Sequence, residues 1–121
     1  MIKCRVETSA PVDTLFYIEN SSLDIVINDV KVNGVSLTGV TGTGFPLSTG
    51  DTVNGYSNQI GTYDVEILYS NGVTGQHFDV YDSDLTFTCV GTVGTGTNTA
   101  TVYGAVVGAG TFQIYAYDGV C

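Results

Sequence analysis

The segment Asp29-Val30-Lys31-Val32-Asn33-Gly34-Val35-Ser36-Leu37-Thr38 predicts a β-hairpin. Val30 and Val32 share one face before the Asn33-Gly34 pair, and an apolar pattern resumes after it at Val35 and Leu37. Asparagine and glycine both tolerate the positive φ that a two-residue hairpin turn requires. A hairpin with one apolar face is therefore expected over residues 29–38.

The rest of the chain continues this two-residue alternation between turns. Valine and threonine each occur seventeen times, and β-branched residues suit strands. Two further Asn-Gly pairs, Asn54-Gly55 and Asn71-Gly72, predict turns, whereas capped helical periodicity is absent. The expected strands and their inward residues are Thr14–Glu19 (Thr14, Phe16, Ile18), Leu23–Ile27 (Leu23, Ile25, Ile27), 63–69 (Tyr63, Val65, Ile67, Tyr69), Phe78 with Val80, Leu85 with Phe87 and Cys89, and a final hairpin of Thr99–Val107 with Thr111–Tyr117.

About eight to ten short strands result, which predicts an all-β fold, either a sandwich or a barrel. The segment Gln59-Ile60-Gly61-Thr62-Tyr63-Asp64-Val65 favours the sandwich, because it resembles the tyrosine corner that opens strand F of immunoglobulin-like domains. It departs from that motif at Gln59, where Asp is usual, and at Val65, where antibody domains carry Cys. We expect one immunoglobulin-like antiparallel β-sandwich over residues 1–121, with an extra C-terminal hairpin at 99–117 as an option.

Charge excludes several classes of function. The chain has 121 residues, a formal net charge of −9 and only three basic residues, Lys3, Arg5 and Lys31. Such a surface repels nucleic acid and anionic membranes. No apolar run is long enough to span a bilayer, and no glycine-rich phosphate-binding motif is present.

The N-terminus and the cysteines predict a compartment. Residues Met1 to Glu7 lack the apolar run of a secretory signal, so we expect synthesis and retention in the cytoplasm. Three cysteines, Cys4, Cys89 and Cys121, are an odd number in a chain that is large enough to fold without cross-links. Reduced thiols, buried or terminal, are expected in preference to a disulfide.

The sequence gives little support for a catalytic site or a metal site. His77 is the only histidine, so the usual general base and the usual zinc ligand are both scarce, and the cysteines are far apart in sequence. The chain is expected to be neither an enzyme nor a cofactor-binding protein. Asp79, Asp82 and Asp84 form the densest acidic cluster, for which a calcium site and an ion-free solvated turn are the alternatives.

The segment from Leu85 to Tyr117 contains no charged side chain over thirty-three residues. A fold of this size can bury only part of it, so a neighbouring protein is expected to cover the rest. If Phe112, Ile114 and Ala116 face the core, their neighbours face outward. The predicted contact residues are Tyr103, Gln113, Tyr115, Tyr117, Gly94 and Thr95, the last two in the Gly91–Thr97 loop.

In size, acidity and Thr/Gly/Val content, and in its 59–65 segment, the chain resembles the small immunoglobulin-like decoration proteins of tailed bacteriophage capsids. That resemblance implies a structural virion protein, made without a signal peptide, that binds the major capsid protein or other virion proteins and needs no active site. Two alternatives stay open: a carbohydrate-binding or adhesive module that uses Tyr56, Asn58, Tyr81 and Asp82, or a self-associating fibre or tail subunit with paired edge strands.

Overall fold

A computed structural model describes residues 13–72, 74–108 and 110–121 of the chain. These residues form ten strands and no helix, so none of them belongs to a helix that could cross a membrane. The strands are β1 (Thr14–Asn20), β2 (Val26–Val32), β3 (Val35–Ser36), β4 (Thr38–Gly42), β5 (Thr52–Ser57), β6 (Gly61–Ser70), β7 (Gln76–Tyr81), β8 (Phe87–Gly91), β9 (Thr97–Val107) and β10 (Phe112–Asp118).

The strands form two sheets. The six-stranded sheet has the order β4-β5-β1-β10-β7-β8, and the four-stranded sheet has the order β3-β2-β6-β9. Every pair is antiparallel except β1 with β10, which run parallel at the centre of the larger sheet. The prediction of an all-β sandwich with eight to ten short, mainly antiparallel strands is confirmed.

The core lies between the two sheets and takes alternate residues from each strand. Phe16 of β1 stacks on Phe112 of β10, with ring centroids 4.4 Å apart. Tyr69 of β6 meets Phe78 of β7 edge-on at 5.2 Å, which joins the two sheets. All four rings are buried, and burial of each large apolar side chain contributes about 1.5–3 kcal/mol to folding.

The hairpin predicted over residues 29–38 is present. Asn33 and Gly34 both have positive φ, at 52° and 75°, as a two-residue turn between β2 and β3 requires. Val30, Val32 and Leu37 are buried, whereas Val35 is 44% exposed.

Tyr63 forms the hydrogen bond that is typical of a tyrosine corner, because its hydroxyl donates a long hydrogen bond of 3.4 Å to the Ile60 carbonyl.

The Asn54-Gly55 pair was wrongly predicted to form a turn, because both residues lie inside β5. Gly55 is buried there, and a Cβ on it would come within 3.0 Å of the Leu37 side chain. The glycine is needed for close packing. The third pair, Asn71-Gly72, does lie in a connection, between β6 and β7, and Asn71 has a positive φ of 60°.

The final hairpin predicted at 99–117 does not form. β9 pairs with β6 in the smaller sheet, whereas β10 lies between β1 and β7 in the larger one. The connection between β9 and β10 therefore crosses from one sheet to the other. The Ser83 hydroxyl forms hydrogen bonds with Gly108 and Gly110 in this connection. The Gly108 amide donates to the Ser83 hydroxyl at 3.1 Å, and that hydroxyl lies 3.0 Å from the Gly110 carbonyl.

Three residues predicted to be in the core are exposed instead: Leu23 by 76%, Leu85 by 71% and Phe87 by 51%. Leu23 lies in a turn before β2, where the Ser22 hydroxyl accepts hydrogen bonds from the Asp24 and Ile25 amides. Leu85 lies in the turn between β7 and β8 with a positive φ of 65°, which ends the alternation that placed it inside.

Candidate functional site

The outer face of the six-stranded sheet carries a continuous group of aromatic and acidic side chains. It is formed by the outward positions of β1, β10, β7 and β8. We name this surface the tyrosine face. Its members are Tyr17, Glu19, His77, Asp79, Tyr81, Phe87, Gln113, Tyr115 and Tyr117.

Alternation along β10 positions the centre of the tyrosine face. Phe112, Ile114 and Ala116 are fully buried in the core, as predicted. Gln113, Tyr115 and Tyr117 alternate with them on the opposite side and are partly exposed. The outward direction expected for these three contact candidates is therefore observed.

The aromatic rings of the tyrosine face touch one another across four strands. Tyr115 lies 5.9 Å from Tyr17 and 6.3 Å from Tyr81, measured between ring centroids. Tyr81 contacts Phe87 at 5.1 Å, and Tyr115 stacks on Tyr117 at 6.1 Å. Mutual packing restricts the rotamers of these side chains, so less conformational entropy remains to be lost on binding.

A depression of about 520 Å³ opens in this surface. It combines flat rings with a carboxylate and a side-chain amide, which can accept or donate hydrogen bonds. Such a mixture of apolar surface and a few polar groups is typical of ligand-binding sites. The depression is lined by Asp79, Tyr81, Leu85, Gln113, Tyr115 and Tyr117.

The hydroxyls of Tyr115 and Tyr117 stay protonated over a wide pH range. Partial burial raises the pKa of Tyr115 and of Tyr117 above the ordinary value of 10.0, and the negative charge of Glu19 raises both further. The Tyr115 hydroxyl donates to the Gln113 side-chain oxygen at 2.6 Å. At neutral pH these phenols are therefore neutral hydrogen-bonding groups on an acidic surface.

The structure separates the remaining contact candidates from the tyrosine face. Tyr103, which is 79% exposed, lies on β9 in the other sheet beside a second depression of about 340 Å³. Gly94 and Thr95 lie in the exposed loop between β8 and β9. The six predicted contact residues thus belong to three different surfaces.

The acidic cluster serves as a structural turn, and its geometry does not support the calcium hypothesis. Asp82 is buried, and its carboxylate accepts hydrogen bonds from the amides of Asp84, Thr86 and Val106 at 2.9–3.0 Å. Asp79 instead points out from the tyrosine face, and Asp84 is exposed. Within the described part of the chain, the carboxylates of Asp79, Asp82 and Asp84 do not form a cluster that could hold one metal ion.

The predicted glycan-binding residues are also dispersed. Tyr56 lies on β5, which two strands separate from Tyr81 on β7, and the Asp82 carboxylate is occupied by backbone amides. Asn58 lies in the connection after β5. Tyr81 alone among them lines the larger depression.

The prediction of reduced cysteines is wrong for two of the three. Cys89 of β8 forms a disulfide with Cys121, with their Cα atoms 5.8 Å apart. Because Asp118 at the end of β10 is opposite Gln76 at the start of β7, the following residues pass close to β8. Chain topology therefore joins two cysteines that are far apart in sequence. Cys4 lies outside the described residues.

Cys89 also has two polar neighbours that could bind a metal. It is directly opposite Asp79 in the β7–β8 pair, and His77 lies two residues before Asp79 on the same face. The ligand atoms of His77, Asp79 and Cys89 all lie within 4.8 Å of one another. The wide spacing of the cysteines in the sequence argued against such a cluster, because spacing along the chain does not show which strands pair.

Sequence reasoning also missed Tyr17, Glu19 and Phe87 as members of the tyrosine face. The alternation along β1 already indicated Tyr17 and Glu19, because Thr14, Phe16 and Ile18 face inward and the alternate positions therefore face outward. Phe87 was predicted to face the core but lies on the outer face of the sheet.

Comparison of the chain with protein-family models, with curated proteins and with solved structures found no match.

Proposed function

We propose that this chain is a non-enzymatic binding domain that acts as a decoration-type structural virion protein and attaches to the major capsid protein through the tyrosine face. The observation that carries the proposal is the set of five mutually packed aromatic rings on the outside of one sheet. Tyrosine and phenylalanine bury large areas with few rotatable bonds, so they are common anchors at protein interfaces.

Charge indicates the chemistry of the partner surface. Glu19 and Asp79 supply negative charge to the tyrosine face, whereas Lys31 lies on β2 in the other sheet. A partner that presents arginine or lysine beside apolar groups would complement this surface. Arginine also stacks on tyrosine rings, which adds a cation–π contribution.

The disulfide also supports this proposal. Disulfides persist in oxidising surroundings, which include virion surfaces, and are rare in reducing cytosol. The Cys89–Cys121 bond would form once the chain leaves the cytoplasm as part of a particle.

A sedimentation assay with major-capsid-protein shells from the same source tests the proposal. Wild type should co-sediment, and the double variant Tyr115→Ser, Tyr117→Ser should bind at least about ten-fold more weakly, because loss of an interface anchor costs more than 1 kcal/mol. Tyr103→Ser is the matched control, since that exposed tyrosine lies on the other sheet. Failure of wild type to bind shells would refute the capsid assignment, and equal loss in both variants would refute the tyrosine face.

A carbohydrate-binding function is the second candidate, and the 520 Å³ depression favours it. Tyr81 and Tyr117 can pack against a sugar ring while Asp79 and Gln113 hydrogen-bond its hydroxyls. Isothermal titration against purified glycans measures this directly. Asp79→Asn should weaken a sugar complex, whereas Asp84→Asn, on an exposed turn, should not.

A further inference from the structure

We propose that reduction of the Cys89–Cys121 disulfide creates a Zn²⁺ site on this domain, with ligands from His77, Asp79, Cys89 and Cys121. Zinc binding does not require a capsid partner, although His77 and Asp79 also belong to the tyrosine face. Two thiolates, one imidazole and one carboxylate are the ligand types that zinc prefers in four-coordinate sites.

The backbone already holds three of the four ligands together. Cys89 and Asp79 are directly opposite in adjacent antiparallel strands, and His77 follows on the same face of β7. Their ligand atoms lie within 4.8 Å of one another. Cys121 is bonded to Cys89, so its sulfur lies next to this group, and after reduction it turns toward the other ligands to supply the fourth.

The orientation of His77 supplies an independent argument. Its Nδ1 lies 2.6 Å from the Gly119 carbonyl oxygen, which can only accept, so Nδ1 carries a proton. A metal-bound histidine usually donates its second ring N–H to a carbonyl or carboxylate in this way. The other nitrogen, Nε2, is thereby directed toward the Asp79 carboxylate.

The distance from Nε2 to Asp79 fits a shared cation. Nε2 and Oδ1 of Asp79 are 3.3 Å apart. Their lone pairs repel unless a proton or a cation lies between them. Two ligand atoms about 2.0–2.1 Å from a tetrahedral zinc ion are roughly 3.3–3.4 Å apart, so this separation matches one edge of a zinc tetrahedron.

The disulfide controls access to the site. While Cys89 and Cys121 are bonded, neither sulfur is a thiolate, and only His77 and Asp79 remain as ligands. A dithiol reductant transfers two electrons and two protons to the disulfide, which gives two thiols, and the reductant becomes a disulfide. Zinc then binds the two thiolates and displaces their protons to solvent.

Cobalt titration of the full-length chain tests the proposal, with Cys4→Ser present throughout to remove the third thiol. The chain is reduced with a water-soluble phosphine, which becomes a phosphine oxide and leaves no competing thiol. One equivalent of Co²⁺ should give the near-ultraviolet charge-transfer band of cobalt thiolate, and Zn²⁺ should abolish it. The oxidised chain should give no such band.

Ligand variants show whether the strand residues take part. His77→Gln and Asp79→Asn should each weaken binding by at least roughly ten-fold, and Asp84→Asn, outside the cluster, should not. Unchanged affinity in both ligand variants would mean that the two cysteines bind the metal alone, and the proposal would be rejected.

Thermal unfolding provides a readout that does not depend on absorption bands. Zn²⁺ should raise the unfolding temperature of the reduced chain and leave that of the oxidised chain unchanged, because only the reduced native state binds the ion. If reduction alone unfolds the chain, zinc should restore its circular dichroism spectrum. Absence of both effects would overturn the proposal.

Discussion

The Tyr17 hydroxyl donates a hydrogen bond of 3.1 Å to the carboxylate of Glu19, two residues further along the outer face of β1. Burial first, then this hydrogen bond and the charge of Glu19, raise the pKa of Tyr17 above 10.0. Glu19 also contributes to the raised pKa of Tyr115 and Tyr117. One carboxylate therefore influences the ionisation of three phenols on the tyrosine face.

We predict that Glu19→Gln lowers the pKa of these tyrosines, measured by ultraviolet absorbance of tyrosinate during alkaline titration. Glu66→Gln, on β6 of the other sheet, is the control. Because the folded pKa values exceed the unfolded ones, the neutral phenols contribute stability below pH 10 that is lost as the pH rises through the folded values. An identical titration curve in wild type and Glu19→Gln would contradict this account.

The turn at Asn33-Gly34 gives a prediction for stability. Gly34 has a φ of 75°, and a Cβ there would meet no atom within 4 Å, so the cost of a side chain is due to the backbone alone. Gly34→Ala should lower the free energy of unfolding by about 1–2 kcal/mol in urea denaturation. Gly91→Ala is the matched control, since that site is equally open but has no positive φ, and it should change stability far less.

Asp82 connects the turn after β7 to β9 of the opposite sheet through three backbone amides. Asp82→Ala leaves these amides without their acceptor and should cost about 3 kcal/mol or more, measured by chemical denaturation. Asp84→Ala, on the exposed side of the same turn, should change stability by less than about 0.5 kcal/mol. Stabilisation of the wild type by added calcium would contradict the purely structural role of Asp82.

The disulfide should contribute substantially to stability. Cys89 and Cys121 are 32 residues apart, and closing a loop of that length restricts the unfolded chain by about 3–4 kcal/mol. Cys121→Ser should therefore lower the free energy of unfolding by that amount in metal-free buffer. A reducing agent should lower it in wild type but produce no further loss in Cys121→Ser.

Local alternation predicted most of the sandwich, because a side chain on a half-buried strand reports its own face. It placed Phe112, Ile114 and Tyr115 correctly for this reason. Alternation carries no information about which strands are neighbours. The pattern of β9 and β10 is the same whether they form a hairpin or belong to different sheets.

The candidate site depends mainly on that missing information. Tyr17, Tyr81 and Tyr115 become neighbours only because β10 inserts between β1 and β7. The Cys89–Cys121 bond and the approach of His77 to Cys89 have the same origin. Sequence spacing alone therefore predicted single contact residues but neither the continuous surface nor the cross-link.

The central position of β10 has a consequence for the order of assembly. It is the last of the described strands in sequence order, yet it occupies the middle of the larger sheet, in parallel with β1. During synthesis, β1 and β7 each keep an unpaired edge until residues 112–118 have left the ribosome, and such edges favour aggregation. The nascent protein is therefore most vulnerable before residues 112–118 emerge, when a chaperone that covers strand edges would benefit it most.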